Sequence, residues 1–282
     1  FMKQEYNQHY FVETCDKISK FNADKNEFNI LITGGGGYLG SVLTEVLLSL
    51  YPKCKIVVYD NLMYKQDGLL PFFSNPNFEF VYGDVRDTEK LLEYVKKADV
   101  IFPLAAIVGF PACDRDPFLA DKVNFEHVLN ITKILSKNQI LISPCTNSGY
   151  GSNADGVCTE ESPMNPISIY GKTKCAAEKA ILENTNGISL RLATLLGTSY
   201  RMRLDLLVND FTYKAVNDGY IVLFEKNFRR NFVHIRDVVR SFIFMMDNYD
   251  KLNNNIYNVG LSNANLTKEQ LCLKIKEYVP YF

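Results

Sequence analysis

The sequence predicts an α/β fold, a doubly wound parallel sheet with a smaller lobe built from the C-terminal part of the chain. Three observations lead there. Short runs of Ile, Val, Leu and Phe recur from Asn29 to Leu192, separated by stretches of helical spacing. The first run, Asn29–Thr33, is short and continuously apolar, the form of a strand buried in a parallel sheet. The first run ends in a glycine cluster, Gly34 to Gly37, directly before a helix. Parallel strands joined by helices cross over right-handedly, which puts helices on both faces.

Asn29–Thr33 is the first run, and Tyr38–Leu50 follows with helical spacing. Lys55–Tyr59 and Phe78–Tyr82 read as strands, Thr88–Lys97 as a helix and Val100–Phe102 as a strand. Phe118–Ser136 is a helix, Gln139–Ser143 a strand, Ile167–Asn184 a helix and Ile188–Leu192 the last strand of the alternation. Beyond Leu192 the pattern loosens into helices at Arg203–Asn217, Asp237–Asp247 and Thr267–Tyr278, with short strands at Tyr220–Phe224 and Phe232–Ile235. Before Phe28 the chain is polar and aromatic, Val12–Phe21 being its best amphipathic stretch. The expected organisation is an extension at 1–27, a first domain at 28–193 and a smaller lobe at 194–282.

Composition narrows the function. Lys and Arg number 31 against 32 Asp and Glu, so there is no basic excess to suggest a nucleic-acid partner. The longest apolar run, Val100–Cys113, is broken by Pro103 and Pro111 and is too short to span a bilayer. No basic start followed by an apolar stretch marks a signal peptide, so the expected location is cytoplasmic. The 7 cysteines are an odd number without close pairs, which argues against a disulfide framework or zinc ribbon. His9, His127 and His234 are not spaced as ligands, and no metal is expected. Asn130 and Asn265 match the glycosylation pattern but are discounted in such a chain.

Gly34, Gly37 and Gly40 fit G-x-x-G-x-x-G, a variant of the Rossmann dinucleotide fingerprint, between the right strand and the right helix. Gly34 would allow the tight turn, Gly37 the approach of a pyrophosphate and Gly40 close packing of helix on sheet. The helix N-terminus offers the phosphates free N–H groups. Asp60 ends the second strand, where a carboxylate accepts from ribose hydroxyls and repels a 2′-phosphate, favouring NAD over NADP. Its competing role is to cap the Asp60–Asn61 turn. Asp84, after the third strand, faces the expected adenine site, or belongs to a plain turn.

Tyr170 and Lys174 stand at i and i+4 of a helix, which puts phenol and ammonium on one face. A free tyrosine, with a pKa of about 10, is protonated at neutral pH. Lys174 and a positive nicotinamide ring would favour the phenolate and make Tyr170 a general base. The alternative is a surface helix pair. Thr146 closes the fifth strand, placed either to share a hydrogen bond with a substrate hydroxyl or to cap the strand end.

With these motifs in this order, the sequence resembles the extended short-chain dehydrogenase/reductases of the NAD-dependent epimerase/dehydratase family, which act on nucleotide sugars. The resemblance covers about Asn29 to Tyr281 and rests on Thr33–Gly40, Asp60, Gly83–Asp87, Leu104–Ala106, Asn124, Thr146–Gly151, Tyr170–Lys174, Arg191–Gly197 and Phe232–Asp237. It implies that Tyr170 removes the sugar O4 proton, that Lys174 binds the nicotinamide ribose and tunes Tyr170, and that Thr146 orients the hydroxyl while hydride passes from C4 to NAD. For the cofactor it also implies Gly34, Gly37, Tyr38, Leu39, Gly40, Asp60, Asn61, Asp84, Val85, Leu104, Ala105, Ala106 and Asn124. Asn124 has a purely structural amide as its alternative.

For the nucleotide sugar the resemblance implies Thr146, Asn147, Thr194, Arg201, Arg203, Asn209 and Arg230. Arginine suits bidentate phosphate contact, against a solvated Arg229–Arg230 pair. His234 and Asp237 match a motif that packs the small lobe on the sheet. Within the family, the runs Ile101–Gly109, Thr146–Gly151 and Arg201–Phe211 look most like GDP-heptose 4-dehydrogenases of capsule pathways. A 4-epimerase, a 4,6-dehydratase and a non-catalytic NAD-binding regulator compete with that reading. Dehydratases of the family carry Asp-Glu after the catalytic Thr, whereas Asn147 and Ser148 stand here. The resemblance further implies a homodimer through a helix pair including Phe118–Ser136 and Ile167–Asn184. It also implies a final segment beyond Phe282.

Overall fold

The computed structural model describes residues 27–151 and 158–282. The amphipathic stretch Val12–Phe21 lies outside the described residues. Seven strands form one parallel sheet in the order β3-β2-β1-β4-β5-β6-β9. They are β1 (Asn29–Thr33), β2 (Lys55–Asp60), β3 (Phe78–Tyr82), β4 (Val100–Pro103), β5 (Ile140–Thr146), β6 (Ile188–Leu192) and β9 (Asn255–Val259). The order runs outward from β1 in both directions, as the alternation of strands and helices predicts. The β1 residues Ile30, Leu31 and Ile32 are almost wholly buried, because β2 and β4 flank the strand and helices cover both faces.

Three of the helices bear on the site. They are α1 (Tyr38–Leu50), α5 (His127–Ile134) and α6 (Ile169–Asn184). Of the others, α2 (Thr88–Val95) precedes β4, and α3 (Phe110–Arg115) and α4 (Pro117–Asp121) lie between β4 and α5. The helix expected at Phe118–Ser136 is thus α4 and α5, joined by a π turn at Lys122–Glu126 that carries Asn124. Ser168 caps α6, its hydroxyl accepting from the Gly171 N–H at 3.0 Å.

After β6 the chain forms a second sheet, order β10-β8-β7, from β7 (Thr194–Leu196), β8 (Arg229–His234) and β10 (Asn265–Thr267). Its own apolar cluster includes Val208 and Phe211 of α7 (Leu207–Asn217) and Leu271 and Ile275 of α10 (Lys268–Lys276). Between them α8 (Ile235–Asp247) and the short α9 (Tyr249–Leu252) pack on the large sheet, and β9 pairs with β6. The chain therefore crosses the expected 193/194 boundary more than once, and that division stays a proposal. His234 caps α8 and its ring fills the space that a Cβ on Gly197 would occupy, in keeping with a structural role.

Two expectations are corrected. Tyr220–Phe224 is not a strand. Its in-and-out alternation is real, with Tyr220, Val222 and Phe224 exposed and Ile221 and Leu223 on the lobe core, but no neighbouring strand pairs with it. The seventh strand, β9, was hidden because Asn255-Ile-Tyr-Asn-Val259 mixes polar and apolar residues at the edge of the sheet.

A buried ion pair joins these parts. Arg191 of β6 and Glu178 of α6 are 4% and 5% exposed and meet through two guanidinium nitrogens at 2.7–3.1 Å. The Ser189 hydroxyl donates to the same carboxylate, and the remaining Arg191 nitrogen donates to the Tyr150 hydroxyl and the Glu160 carbonyl. Tyr150 in turn donates to the Asn258 side chain on β9. Burial opposes the guanidinium charge, but the Glu178 and Tyr150 hydrogen bonds more than offset it, so its pKa is raised. Removing one partner strands a buried charge, whereas removing both does not. Arg191→Met is therefore expected to lose about 3–5 kcal/mol in urea unfolding, with the Arg191→Met/Glu178→Met double variant recovering most of it.

Candidate active site

The glycine turn is shaped by its neighbours. Gly34 has a φ of +70°, and a Cβ there would stand 2.5 Å from the Ala105 backbone, so β1 and the segment after β4 approach too closely for any side chain. A Cβ on Gly40 would meet the Gly35 backbone at 2.5 Å; it packs the helix on the turn itself. At Gly37 only the Gly34 carbonyl of the same turn lies within 4 Å. Gly37 is also the N-cap of α1, with no side-chain cap and no acidic residue in the first turn. Free N–H groups beside a side-chain-free position are what a pyrophosphate requires.

Asp60 ends β2 and is 7% exposed. One carboxylate oxygen accepts from the Gly36 N–H at 2.9 Å, the other from the Leu62 N–H at 2.8 Å and the Gln66 amide at 3.2 Å. Burial raises its pKa, and the two backbone hydrogen bonds counter this. Asp60 is thus both the turn cap and an acceptor with a lone pair to spare for a ribose hydroxyl. Asp84 is more committed: Arg86 grips it through two nitrogens and Asn61 donates to it, which brings its pKa down to about 2, with Arg86 the main cause. Val85 is buried beside it.

Leu104 and Ala105 follow β4, the Leu104 N–H donating to the Thr33 carbonyl. Ala106 leads on to Ile107, which Asn124 holds by both of its backbone groups. Asn124 is fully buried, and its amide also donates to Thr173 on α6. With its amide engaged by Ile107 and Thr173, Asn124 holds the segment that follows β4. Tyr38 and Leu39 open α1. The Tyr38 hydroxyl donates to the Gly197 carbonyl at 2.6 Å and accepts from Asn209, so it ties the glycine turn to the smaller lobe.

Thr146 ends β5, and its hydroxyl oxygen accepts from the Ser148 N–H at 3.1 Å, leaving the hydroxyl proton to donate elsewhere. The 3₁₀ turn Asn147–Tyr150 follows. Tyr170 lies in the first turn of α6, half-buried, and Lys174 one turn later is 3% exposed. Burial pushes the Tyr170 phenol up, Cys145 adds to this, and Arg203 is the charge that pulls it down. Burial lowers Lys174, while Cys145 and Glu178 raise it. Among the charges acting on the phenol, Arg203 favours its ionised form, while burial favours the protonated one.

Among the expected substrate residues, Arg203 is the one that reaches Tyr170 electrostatically, and it is also paired with Asp205. Asn209 spends its amide on Gly197, Tyr38 and the Arg203 carbonyl; it holds Arg203 in place instead of facing outward. Arg201 lies over the Tyr64 ring, on the side of the loop after β2. Arg230 is exposed at the start of β8 over Phe228, and Thr194 opens β7 opposite Phe232. Sequence reasoning passed over Gln66 and Thr173, which support Asp60 and Asn124. Thr173 sits three residues after Tyr170, but no pattern marked Gln66.

The comparisons with known proteins fit this arrangement. The model of the NAD dependent epimerase/dehydratase family matches residues 30–260. The chain belongs to that family. Its relatives include a UDP-N-acetylglucosamine 4,6-dehydratase (inverting) of Campylobacter jejuni, 31% identical over 161 residues, 57% of this chain and 45% of that protein. This chain thus matches less than half of that relative's length. The low-salt glycan biosynthesis protein Agl12 of Haloferax volcanii is 27% identical over 262 residues, 86% of this chain and 81% of that protein. The structure of the UDP-glucose 4-epimerase of Thermotoga maritima superposes with a TM-score of 0.77 at 26% identity, covering 90% of this chain and 83% of that one. The narrower likeness to GDP-heptose 4-dehydrogenases has no counterpart among these relatives.

Two outcomes are expected. If Asp60 meets the ribose, calorimetry will find NAD(H) bound at least tenfold (about 1.4 kcal/mol) more tightly than NADP(H); equal affinities would remove that role. The second concerns His127, a buried side chain whose pKa is pushed down to about 3 by burial and by the nearby Lys174 charge. An unfolded chain, with histidine near 6.5, binds a proton between those values that the folded chain refuses, so stability falls as pH drops through this window. His127 accounts for about 2 kcal/mol of the loss between pH 7 and pH 5. Denaturant titrations of His127→Leu at the two pH values should show a difference smaller by that amount.

Proposed function

We propose that the protein oxidises C4 of a nucleotide-linked sugar, GDP-heptose-like in kind, in the synthesis of a polysaccharide precursor. The observation that carries the reading is the placement of Thr146 at the carboxyl end of β5 and of Tyr170 and Lys174 one turn apart at the start of α6, with the Arg203 charge acting on the phenol. NAD supplies the hydride acceptor when bound. In this reading Thr146 donates to the sugar hydroxyl and fixes its direction. Tyr170 takes the O4 proton. Lys174 holds the nicotinamide ribose and supplies positive charge beside the phenol. Arg203 eases ionisation of Tyr170 and, with Arg201 and Arg230, faces the nucleotide diphosphate.

Dehydration asks for more. Losing water across C5–C6 of a 4-keto sugar needs an acid at the C6 hydroxyl and a base at the C5 proton. Asn147 and Ser148, which directly follow Thr146, serve as neither at neutral pH. Of the nearby acids, Glu160 is engaged by the Asn258 N–H. The second reading is a 4-epimerase, returning the hydride to the opposite face; the likeness to the Thermotoga epimerase over most of the chain favours it. A cytoplasmic homodimer, formed through the faces that leave Phe118 and Ile167 exposed, belongs to the same proposal.

Incubation with GDP-heptose, GDP-mannose and UDP-glucose, followed by mass spectrometry, separates the readings. Loss of two hydrogens supports oxidation, and an unchanged mass with a new C4 configuration supports the epimerase. Loss of water overturns both. Tyr170→Phe should bind NAD normally and turn over about 10²–10⁴-fold more slowly; near-normal turnover would remove Tyr170 from the role of base.

A further inference from the structure

Two cysteines outside this chemistry meet between its halves. Cys145 directly precedes Thr146 on β5, and Cys175 directly follows Lys174 on α6. Both are free thiols. Cys145 is buried, and its sulfur lies 3.6 Å from the Lys174 carbonyl oxygen, the acceptor next to the Cys175 peptide. The two thiols lie close enough for each to act on the other's titration. Cys175 is half-buried, and its sulfur reaches under the Asn147–Tyr150 turn: a Cβ on Gly149 would stand 2.8 Å from it.

Their surroundings make the two sulfurs unequal. Cys145 lowers the Cys175 pKa, with Arg191 and Lys174 helping against burial and Glu178. Cys175 and burial raise Cys145. A more acidic, partly exposed thiol beside a neutral buried one is the arrangement in which the first attacks an oxidant and the second resolves the product.

We propose that Cys145 and Cys175 form an oxidation site, where a peroxide converts the thiol pair to a disulfide that joins β5 to α6 and stops turnover until a thiol reductant reopens it. The Cys175 thiolate attacks one peroxide oxygen, the O–O bond breaks, and the departing hydroxide takes up a proton to become water. The Cys145 sulfur then attacks the sulfur of the resulting sulfenic acid. The S–O bond breaks, and the Cys145 proton leaves with the oxygen as a second water. The two thiols surrender two electrons, and the peroxide is reduced to two waters. A disulfide holds its sulfurs at about 2.05 Å, well inside hydrogen-bonding range, so the ends of β5 and α6 must close together. Thr146 and Lys174 are the adjoining residues, and a displacement near 1 Å at reacting groups costs about 10²-fold in rate. This effect on turnover rests on the catalytic reading above; formation of the bond does not.

The test is to treat the NAD-loaded chain with hydrogen peroxide, alkylate the remaining thiols with iodoacetamide in denaturant, and map the peptides. The expected result is a linked pair of peptides carrying Cys145 and Cys175, two hydrogens lighter than the reduced pair and separated by dithiothreitol. Turnover should fall at least tenfold and return with the reductant, while Cys175→Ser forms no such link and keeps its turnover through the treatment. Recovery of both cysteines alkylated, or as sulfonic acids, overturns the site. A linked pair with undiminished turnover overturns its inhibitory effect. Should none of the nucleotide sugars be turned over, the peptide map still decides the site, because it needs no substrate.

Discussion

Arg191 and Glu178 form an ion pair closed off from water, and the geometry of the candidate site depends on it. Through its two partners it ties β6 to α6, the helix that carries Tyr170 and Lys174. Through Tyr150 it fixes the turn after Thr146, and through Asn258 the edge strand β9. A buried pair of this kind is weak evidence for net stability, since an apolar replacement can be as stable. What it supplies is direction. The guanidinium's fork orients several elements at once, which an apolar contact of equal volume would leave free to shift.

How much of this was legible in the sequence follows from how local each signal is. The inner strands β1, β2 and β4 were visible because they are buried on both faces and so form nearly continuous apolar runs. The glycine turn and Asp60 were visible because a close backbone approach and a carboxylate at a strand end are each set by a few adjacent residues. β9 was not, because an edge strand that is half covered has no such composition. Tyr220–Phe224 shows the converse: alternation reports one buried face, and says nothing of whether another strand lies alongside. The roles of Asn124 and Asn209 were beyond reach for a different reason. An amide in the right place in sequence can face a ligand or the protein's own backbone, and only the fold decides between them.

The electrostatics of Tyr170 and Lys174 are a balance struck by burial. Burial penalises both charged forms, pushing the phenol up and the ammonium down, so the isolated chain keeps the tyrosine protonated. Arg203 comes from the smaller lobe and acts across to the phenol, so placement of that lobe bears on the acidity of a residue in the first.

The hydrogen bonds of Tyr38 carry that coupling back to the cofactor side. Tyr38 begins α1, whose free N-terminal N–H groups suit a pyrophosphate, and its hydroxyl bonds Gly197 and Asn209. Asn209 in turn holds the Arg203 carbonyl. A single chain of contacts therefore runs from the glycine turn through Tyr38 and Asn209 to Arg203 and the Tyr170 phenol. Tyr38 and Asn209 are buried and joined through their side chains, whereas Arg203 is half-buried and paired with Asp205, so the rigid part of this chain ends at the Arg203 backbone. A dinucleotide held at the glycine turn would on this geometry bear, through Tyr38 and Asn209, on the backbone that carries Arg203.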